Sequence, residues 1–261
     1  MKTRTLLTKL GRLYPKRIAL KNKDYVGYMA GQKVEEVKKI VLLLDLDEIV
    51  FAEALSHKPD LILTHHPFIY GTRAKVFARD EKKKEFALWL DTLPTMVYSI
   101  HTNFDEAPNG MNDALAEKLE LTNIKPLEME PMARGGYLPH SMNLEEATNY
   151  VINKLELDYG LLVAGDKDRE VKKIAIIGGG GSSSWRAAMI EGYDLYISGD
   201  VRHHVRRGVM NAGYNYLDVP HEVENIFLVK MKEVLLSIDP TFEVITIRHE
   251  KPPIVVKRGK K

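Results

Sequence analysis

The sequence predicts an α/β protein, and two patterns support this fold class. First, several short apolar runs are continuous rather than alternating, which is typical of strands that are covered on both faces of a sheet. These runs are residues 40–44, 61–63, 96–98, 174–177 and 195–197. Second, helical patterns separate them, namely residues 82–90, residues 114–119 and a helix that begins at the capping sequence Asn143-Leu144-Glu145-Glu146. Strands that alternate with helices indicate sheets flanked by helices.

Composition excludes several classes of protein. The chain has 261 residues with a net charge of +2, which predicts one large or two modest globular domains and excludes a strongly basic nucleic-acid coat. It has no cysteine, which excludes disulfides, thiolate nucleophiles, zinc fingers and cysteine-held iron–sulfur clusters. No apolar run reaches the roughly 18–20 residues of a membrane helix. We therefore predict a cytoplasmic protein with no membrane partner.

The two ends of the chain are basic. The first 23 residues hold eight Lys or Arg and no acidic residue, with Leu6, Leu7, Leu10 and Leu13 at helical spacing. This pattern is typical of an amphipathic helix with its leucines inward, and also of a transit peptide or a membrane-surface helix. We favour the first interpretation. Residues 251–261 hold five basic residues and two prolines, and we predict a solvated tail there.

Six of the nine histidines lie in four polar patches that directly follow apolar runs. In α/β sheets, ligands bind beside the carboxyl ends of the strands. The patches contain His65 with His66, His101 with Asp105, Asp200 with His203 and His204, and His221 with Glu224. A helix that starts at His221 would place Glu224 on the same face. Imidazoles and carboxylates without sulfur suit Zn, Mn, Fe, Ni or Co.

The patches leave two interpretations open. In the first, the residues are structural. An adjacent pair such as His65 and His66 has a structural role as often as a functional one, and a single loop Asp such as Asp105 is often a turn former. In the alternative, five ligands hold two ions, and Asp105 and Glu224 supply a bridging carboxylate each. Two ions about 3.5–4 Å apart could clamp an oxyanion and activate a water molecule.

Four glycines at residues 178–181 follow a predicted strand and precede three serines. Neither the dinucleotide-binding fingerprint nor the Walker pattern fits this segment. It is either a turn that binds an anion through backbone N–H groups or a tight structural turn between a strand and a helix.

Together these patches resemble the NIF-three-like dinuclear metal-centre family, many of whose members are described as GTP cyclohydrolase I type 2 homologues. The matching pieces are residues 60–67, 101–105, 110–116, 177–181 and 198–200 with His204, and His221 with Glu224. They occur in the family's order across roughly residues 12–235.

The resemblance implies two divalent metal ions, of unknown identity, held by His65, His66, Asp105, His221 and Glu224. Many members place the glutamate four residues after the last histidine, where this chain has Asn225. Glu224 keeps the better helix register with the apolar residues that follow. The resemblance also implies that a further three residues line the site and act in catalysis, namely His101, Asp200 and His204.

For the fold, the resemblance implies two related α/β units, the second inserted into the first. We place the first unit at residues 1–127 with 218–261 and the second at 128–217, because residues 125–136 hold two prolines and an Arg-Gly-Gly sequence. The resemblance further implies a toroidal homohexamer, so that the chain is its own partner.

For function, the resemblance implies a metal-dependent hydrolase that acts on a nucleotide or phosphorylated metabolite, with phosphate held by Arg202, Arg206 and Arg207. The residues do not separate a GTP cyclohydrolase from a phosphoesterase, because a fold does not define a reaction. The alternative is a non-catalytic metal-binding ring that acts as a scaffold, metal chaperone or regulator. Contact with nucleic acid is a third interpretation, and it requires a basic interior that a net charge of +2 supports little.

Overall fold

The computed structural model describes residues 1–256, and these residues form two compact units. The first unit comprises Met1–Gly110 and Asn225–Glu250, and the second comprises Met111–Glu224 with residues 251–256. Within the described chain each unit contains a mixed sheet and flanking helices, which confirms the predicted α/β class. The units change at Gly110 and Glu224, whereas the sequence analysis placed the changes at residues 127 and 217. Part of the predicted solvated tail, from residue 257 onward, lies outside the described residues.

Eleven strands and eleven α-helices are assigned within residues 1–256. The strands are β1 (Gly27–Gly31), β2 (Lys39–Leu43), β3 (Leu61–Thr64), β4 (Met96–Ser99), β5 (Thr122–Pro126), β6 (Arg134–Met142), β7 (Leu161–Ala164), β8 (Val171–Ile176), β9 (Leu195–Ser198), β10 (Asn215–Asp218) and β11 (Glu243–Thr246). The helices are α1 (Thr3–Leu13), α2 (Lys16–Lys21), α3 (Phe51–Ser56), α4 (Arg73–Arg79), α5 (Glu81–Leu90), α6 (Thr102–Glu106), α7 (Met111–Lys118), α8 (Leu144–Lys154), α9 (Trp185–Ile190), α10 (His203–Asn211) and α11 (Ile226–Ile238).

The sheet of the first unit has the strand order β1-β4-β3-β2-β11. Its last four strands are parallel, and β1 pairs with β4 in the antiparallel sense. All residues of β3 and β4 are buried, which explains why their sequences are continuous apolar runs. The core of this unit includes Val41, Ile62 and Val97 from the sheet with Ala87 and Leu90 from α5.

The sheet of the second unit has the order β5-β6-β8-β9-β10-β7. Strands β8, β9 and β10 are parallel, and the strands on either side of them run antiparallel. The capping box that the sequence predicts is present at the start of α8, where Asn143 accepts from the backbone of Glu146 at 2.9 Å. This confirms both the helix and its first residue.

Residues 125–136, interpreted from their prolines and glycines as a link between units, are part of the β5–β6 pair of the second unit. The glycines serve packing rather than flexibility. A Cβ atom on Gly135 would lie 2.2 Å from the ring of Tyr193, so only glycine lets the strand and this ring approach. The neighbouring Arg134 is 1% exposed and forms an ion pair with Asp113.

The basic N-terminal segment forms the amphipathic helix α1. Leu6 and Leu10 are buried, and each contributes roughly 1.5–3 kcal/mol of burial free energy. Leu13 departs from the predicted inward stripe, because it lies at the last turn and is 44% exposed. Among residues 1–256, no helix combines the length and apolar character that crossing a bilayer would require.

Candidate metal centre

Three parallel strands of the first unit end at one edge of the sheet, and each is followed by a polar side chain. Asp45 follows β2, His65 and His66 follow β3, and His101 follows β4. The ladder continues past β3, because the backbone N–H of His65 donates to the carbonyl of Leu43 at 3.1 Å. The side chains are therefore presented at the carboxyl edge of the sheet, where α/β proteins bind ligands.

The imidazoles of His65, His66 and His101 form a cluster. One ligand nitrogen from each ring lies within 4.8 Å of those of the other two. The ring centroid of His65 lies 4.9 Å from that of His66 and 5.1 Å from that of His101. The sequence analysis assigned His101 to the lining of the site, and the structure groups it directly with the two predicted ligands.

The Nδ1 atoms of His65 and His66 both face oxygen acceptors. Nδ1 of His65 donates to the carbonyl oxygen of Ile100 at 3.1 Å, and Nδ1 of His66 donates to Asp45 Oδ2 at 2.8 Å. A carbonyl or carboxylate oxygen only accepts, so the proton is on Nδ1 and the neutral ring presents the lone pair of Nε2. Metal-binding histidines are oriented in this way in most metalloproteins.

His101 has the same arrangement with a buried carboxylate. Its Nδ1 donates to Asp24 Oδ2 at 2.8 Å, and the hydroxyl of Thr102 donates to the same oxygen at 2.7 Å. Burial lowers the pKa of His101, but the hydrogen bond to Asp24 and the charge of Asp105 together raise it above its ordinary value. Burial conversely raises the pKa of Asp24, and the bonds with His101 and Thr102 bring it below its ordinary value. His101 is therefore held in position, and its imidazole is more basic than that of an ordinary histidine.

Asp105 lies on the short helix α6 and is 7% exposed. Its Oδ1 atom is 3.5 Å from Nε2 of His65. Two ligands of one ion, each roughly 2.0–2.2 Å from the metal, lie about 3–3.5 Å apart. The ring of His65 also packs on the buried ring of Phe227, with 5.3 Å between centroids. This apolar wall excludes water on one side of the cluster and strengthens its electrostatic interactions.

The second unit carries its own pair of donors. A 3-10 turn, His221–Asn225, follows the parallel strand β10 and places Nε2 of His221 3.1 Å from Glu224 Oε2. Nδ1 of His221 donates to Asp200 Oδ2 at 2.8 Å, so Nε2 is the atom left to bind a metal once it gives up the proton that it donates to Glu224. Asp200 itself has a left-handed backbone, with φ of 56°, at the turn after β9. Asp200 therefore orients the ring of His221 through this hydrogen bond.

The glycine run explains how Glu224 is accommodated. Gly179 has φ of +61°, and a Cβ atom on it would lie 1.9 Å from Glu224 Oε1. Two amides of the run are already used, since Gly178 donates to Asn112 Oδ1 at 2.8 Å and Gly181 donates to Ser198 Oγ at 2.9 Å. Of the two interpretations left open, the structure supports the tight structural turn.

Among residues 1–256, each unit carries donors that fit a divalent metal ion. Four histidines present Nε2 from rings fixed at Nδ1, and two buried carboxylates lie at ligand-to-ligand distances from two of them. They are His65, His66, His101 and His221, with Asp105 and Glu224. Nitrogen and oxygen donors of this kind suit Zn, Mn, Fe, Ni or Co. His204 lies on the exposed first turn of α10 with Arg206 and Arg207, and its catalytic role stays a prediction.

Sequence reasoning missed the orienting carboxylates Asp24 and Asp45. Asp45 directly follows the apolar run of β2, so the strand-end rule that selected His65 would also have selected it. Asp24 has no such signal, because it lies 77 positions before its partner His101, in a segment notable only for its cations. The sequence analysis interpreted Gly179 as part of a turn, and it did not predict that the carboxylate of Glu224 lies beside it.

The pKa of His221 gives a testable pH dependence. Its hydrogen bond with Glu224 raises this pKa to about 9, against the opposing effect of burial, from an ordinary value of 6.5. Because the folded-state pKa lies above the unfolded one, the pair stabilises the metal-free protein fully below pH 6.5. That contribution is lost as the pH rises through about 9. We expect Glu224→Gln to remove this dependence, and urea unfolding of both metal-free proteins between pH 6 and 10 would measure it. A difference in unfolding free energy that stays constant or grows with pH would contradict the assignment.

This chain is similar to known proteins along most of its length. A family model described as Duf34/NIF3 (NGG1p interacting factor 3) matches residues 1–253. A GTP cyclohydrolase 1 type 2 homolog from Lactococcus lactis is 28% identical over 256 residues, which covers 97% of this chain and 98% of that protein. A protein of the same name from Clostridium perfringens is 32% identical over 238 residues, with 88% and 90% covered.

Solved structures agree with these sequence matches. The Bacillus cereus protein related to NIF3 has the same fold, with a TM-score of 0.85 at 20% identity over 98% of this chain and 99% of that one. Reduced HcgD from Methanocaldococcus jannaschii has a TM-score of 0.77 at 28% identity, over 94% and 97% of the two chains. Since the family model covers almost the whole sequence, this chain belongs to the Duf34/NIF3 family.

Proposed function

We propose that this protein is a metal-dependent hydrolase with a dinuclear centre, acting on a nucleotide or a phosphorylated metabolite. The proposed ligands of the two ions are those expected from the sequence, namely His65, His66 and Asp105 of the first unit with His221 and Glu224 of the second. The observation that carries the proposal is the common orientation of the histidines, each of which donates its Nδ1 proton to an oxygen and presents Nε2.

A bound divalent ion would supply Lewis acidity to a phosphoryl or carbonyl oxygen and lower the pKa of a water molecule. The other steps fall to the chain. His101, fixed by Asp24 and with a raised pKa, is placed to accept a proton and return it to a leaving group. Asp200 orients His221, and His204 is a second candidate for proton transfer.

Phosphate recognition is assigned to the basic residues of and beside α10, where Arg202, Arg206 and Arg207 are exposed. A guanidinium group can donate two hydrogen bonds to two oxygens of one phosphate, which orients the ligand as well as attracting it. The relatives named GTP cyclohydrolase 1 type 2 homolog favour a nucleotide among phosphorylated substrates. Opening of a purine ring and cleavage of a phosphoester both remain within this proposal.

We propose further that the chain assembles with itself as the toroidal homohexamer that its family resemblance implies, and that it acts in the cytoplasm. Support for the assembly is the family membership. Support for the location is the absence of cysteine, which suits a reducing compartment.

The test is a turnover screen of untagged protein loaded in turn with Zn, Mn, Fe, Ni and Co, against nucleoside triphosphates, monophosphates and simple phosphoesters. We expect one class to be hydrolysed, and His101→Gln to lower kcat, expressed per bound metal ion, by about 100-fold or more. His140→Gln is the matched control, because it removes an exposed imidazole on β6 and should leave kcat unchanged. A fully loaded protein that hydrolyses none of these compounds would contradict the hydrolase and favour a non-catalytic scaffold, metal chaperone or regulator.

A further inference from the structure

A cavity of about 610 Å³ opens on the first unit beside the basic N-terminal helix. Its walls come from α1, the start of α2, strands β1 and β4, and the loop at residues 33–35. The volume is within the range of roughly 300–1,000 Å³ that small-molecule sites occupy. None of the proposed metal ligands lines it, so the cavity is a separate feature of the molecule.

Three cations line this cavity, namely Arg4, Lys16 and Lys33. Within residues 1–256, Arg4, Lys16 and Lys33 take part in no ion pair, whereas Lys21 and Lys39 pair with carboxylates at 3.1 and 3.0 Å. Glu35 is the carboxylate that lines the same space, which leaves two positive charges uncompensated. A phosphate monoester is a dianion near neutral pH and would balance this charge.

Two tyrosine rings hold the lysines. Nζ of Lys16 lies 5.6 Å from the ring centroid of Tyr98, and Nζ of Lys33 lies 5.2 Å from that of Tyr28. Such cation–π contacts position an ammonium group without neutralising it. Tyr28 is fixed in turn, because its hydroxyl donates to the carbonyl of Gly31 at 2.5 Å. Tyr28 is 40% exposed, so its ring also offers a surface on which a planar ligand can stack.

The backbone leaves room for one of these cations. Gly27 has φ of +110°, and a Cβ atom on it would lie 2.4 Å from Nζ of Lys16. Any side chain at this position would push the ammonium group from its place over Tyr98. Lys16 is an exposed residue, but its ammonium group lies against a strand and an aromatic ring.

We propose that this cavity binds a phosphate monoester that carries a planar ring, a ligand of mononucleotide size. Arg4, Lys16 and Lys33 contact the phosphate, and the ring lies against Tyr28. The site does not depend on the proposed metal centre. It also gives a role to the basic segment of the first 23 residues, which the proposed hydrolysis does not use.

Calorimetric titration of the full chain tests this site, both as purified and after chelation of metals. The probes are adenosine monophosphate, adenosine and inorganic phosphate. We expect adenosine monophosphate to bind in both preparations, and the other two to bind at least about tenfold more weakly, because each lacks one half of the contacts. Binding that survives chelation separates this site from the metal centre, so either proposal can fail without the other.

Variants locate the binding. Lys16→Gln and Lys33→Gln should each weaken adenosine monophosphate about tenfold or more. Arg17→Gln removes the same charge from the adjacent exposed position of α2, which does not line the cavity, and should leave binding unchanged. Equal weakening in all three variants would indicate attraction to general charge and overturn the site, as would no binding of adenosine monophosphate at millimolar concentration. Tighter binding of single-stranded DNA with a steep salt dependence, or of phosphatidylserine vesicles, lost in the same lysine variants, would overturn it in favour of a nucleic-acid or membrane surface.

Discussion

Replacement of His66 and Asp105 together by alanine should abolish tight metal binding and leave the protein folded. The change removes an imidazole nitrogen and a carboxylate from the cluster around His65. Since substitution of an orienting group alone costs roughly 10–100-fold in metal affinity, loss of two direct donors should cost more. Mass spectrometry of untagged protein should find about two ions per chain in the wild type and nearly none in the variant.

The fold should tolerate this change because neither side chain belongs to the sheet core. His66 lies past the end of β3 with 21% of its side chain exposed, and Asp105 lies on the short helix α6. Removal of a buried carboxylate also removes a desolvation cost in the metal-free protein. Circular dichroism and thermal unfolding would verify the fold, and His140→Ala controls for the loss of an exposed imidazole. Metal stoichiometry equal to that of the wild type would refute the ligand assignment.

The sequence predicted the central strands well because their environment leaves a strong pattern. Strands β3, β4 and β9 are buried along their whole length, so each is a continuous apolar run, and each observed strand extends the predicted run by one residue. The capping box of α8 was equally visible, since Asn143 and Glu146 satisfy each other's backbone groups within four positions.

Edge strands were missed for the converse reason. β5 is exposed at four of its five residues and β7 at two of its four, so neither shows the apolar continuity of a covered strand. β6 contains two glycines that look like a linker, yet Gly135 is there because the ring of Tyr193 packs directly on the backbone. The pattern of apolar residues along a sequence indicates which side chains are buried. It does not indicate where a glycine, which has no side chain, lets another residue pack against the backbone.

For the candidate site too, the sequence predicted the local features and missed those that depend on tertiary contacts. Parallel strands bring their carboxyl ends to one edge, so a rule based on strand ends selected His65, His66 and His101 without knowledge of the structure. The orientation of the rings could not be predicted, because it depends on contacts such as that between His101 and Asp24, which are distant in sequence. The local sequence identifies the donor residues. The position of the proton on each ring, which decides which nitrogen can bind a metal, depends on tertiary contacts.

Gly179→Ala should disrupt the site through Glu224, and Gly213→Ala should not. Both glycines have φ of +61°, so an L-residue pays the same cost of about 1–2 kcal/mol for the left-handed backbone. They differ in their surroundings, since a Cβ atom on Gly213 meets nothing within 4 Å, and one on Gly179 would overlap Glu224 Oε1. The difference between the two variants therefore isolates the contact with the carboxylate from backbone strain.

Glu224 is 4% exposed and hydrogen-bonds His221, so a forced rotation of its carboxylate separates the two predicted ligands of the second unit. We expect Gly179→Ala to weaken metal binding roughly 10–100-fold, the range seen when groups that orient ligands are lost, and Gly213→Ala to bind metal as the wild type does. The pKa of His221 in metal-free Gly179→Ala, followed by NMR titration, should fall from about 9, because the bond with Glu224 is its largest cause. If the two alanine variants bind metal equally well, Glu224 is not a ligand, and the fifth donor lies elsewhere in the chain.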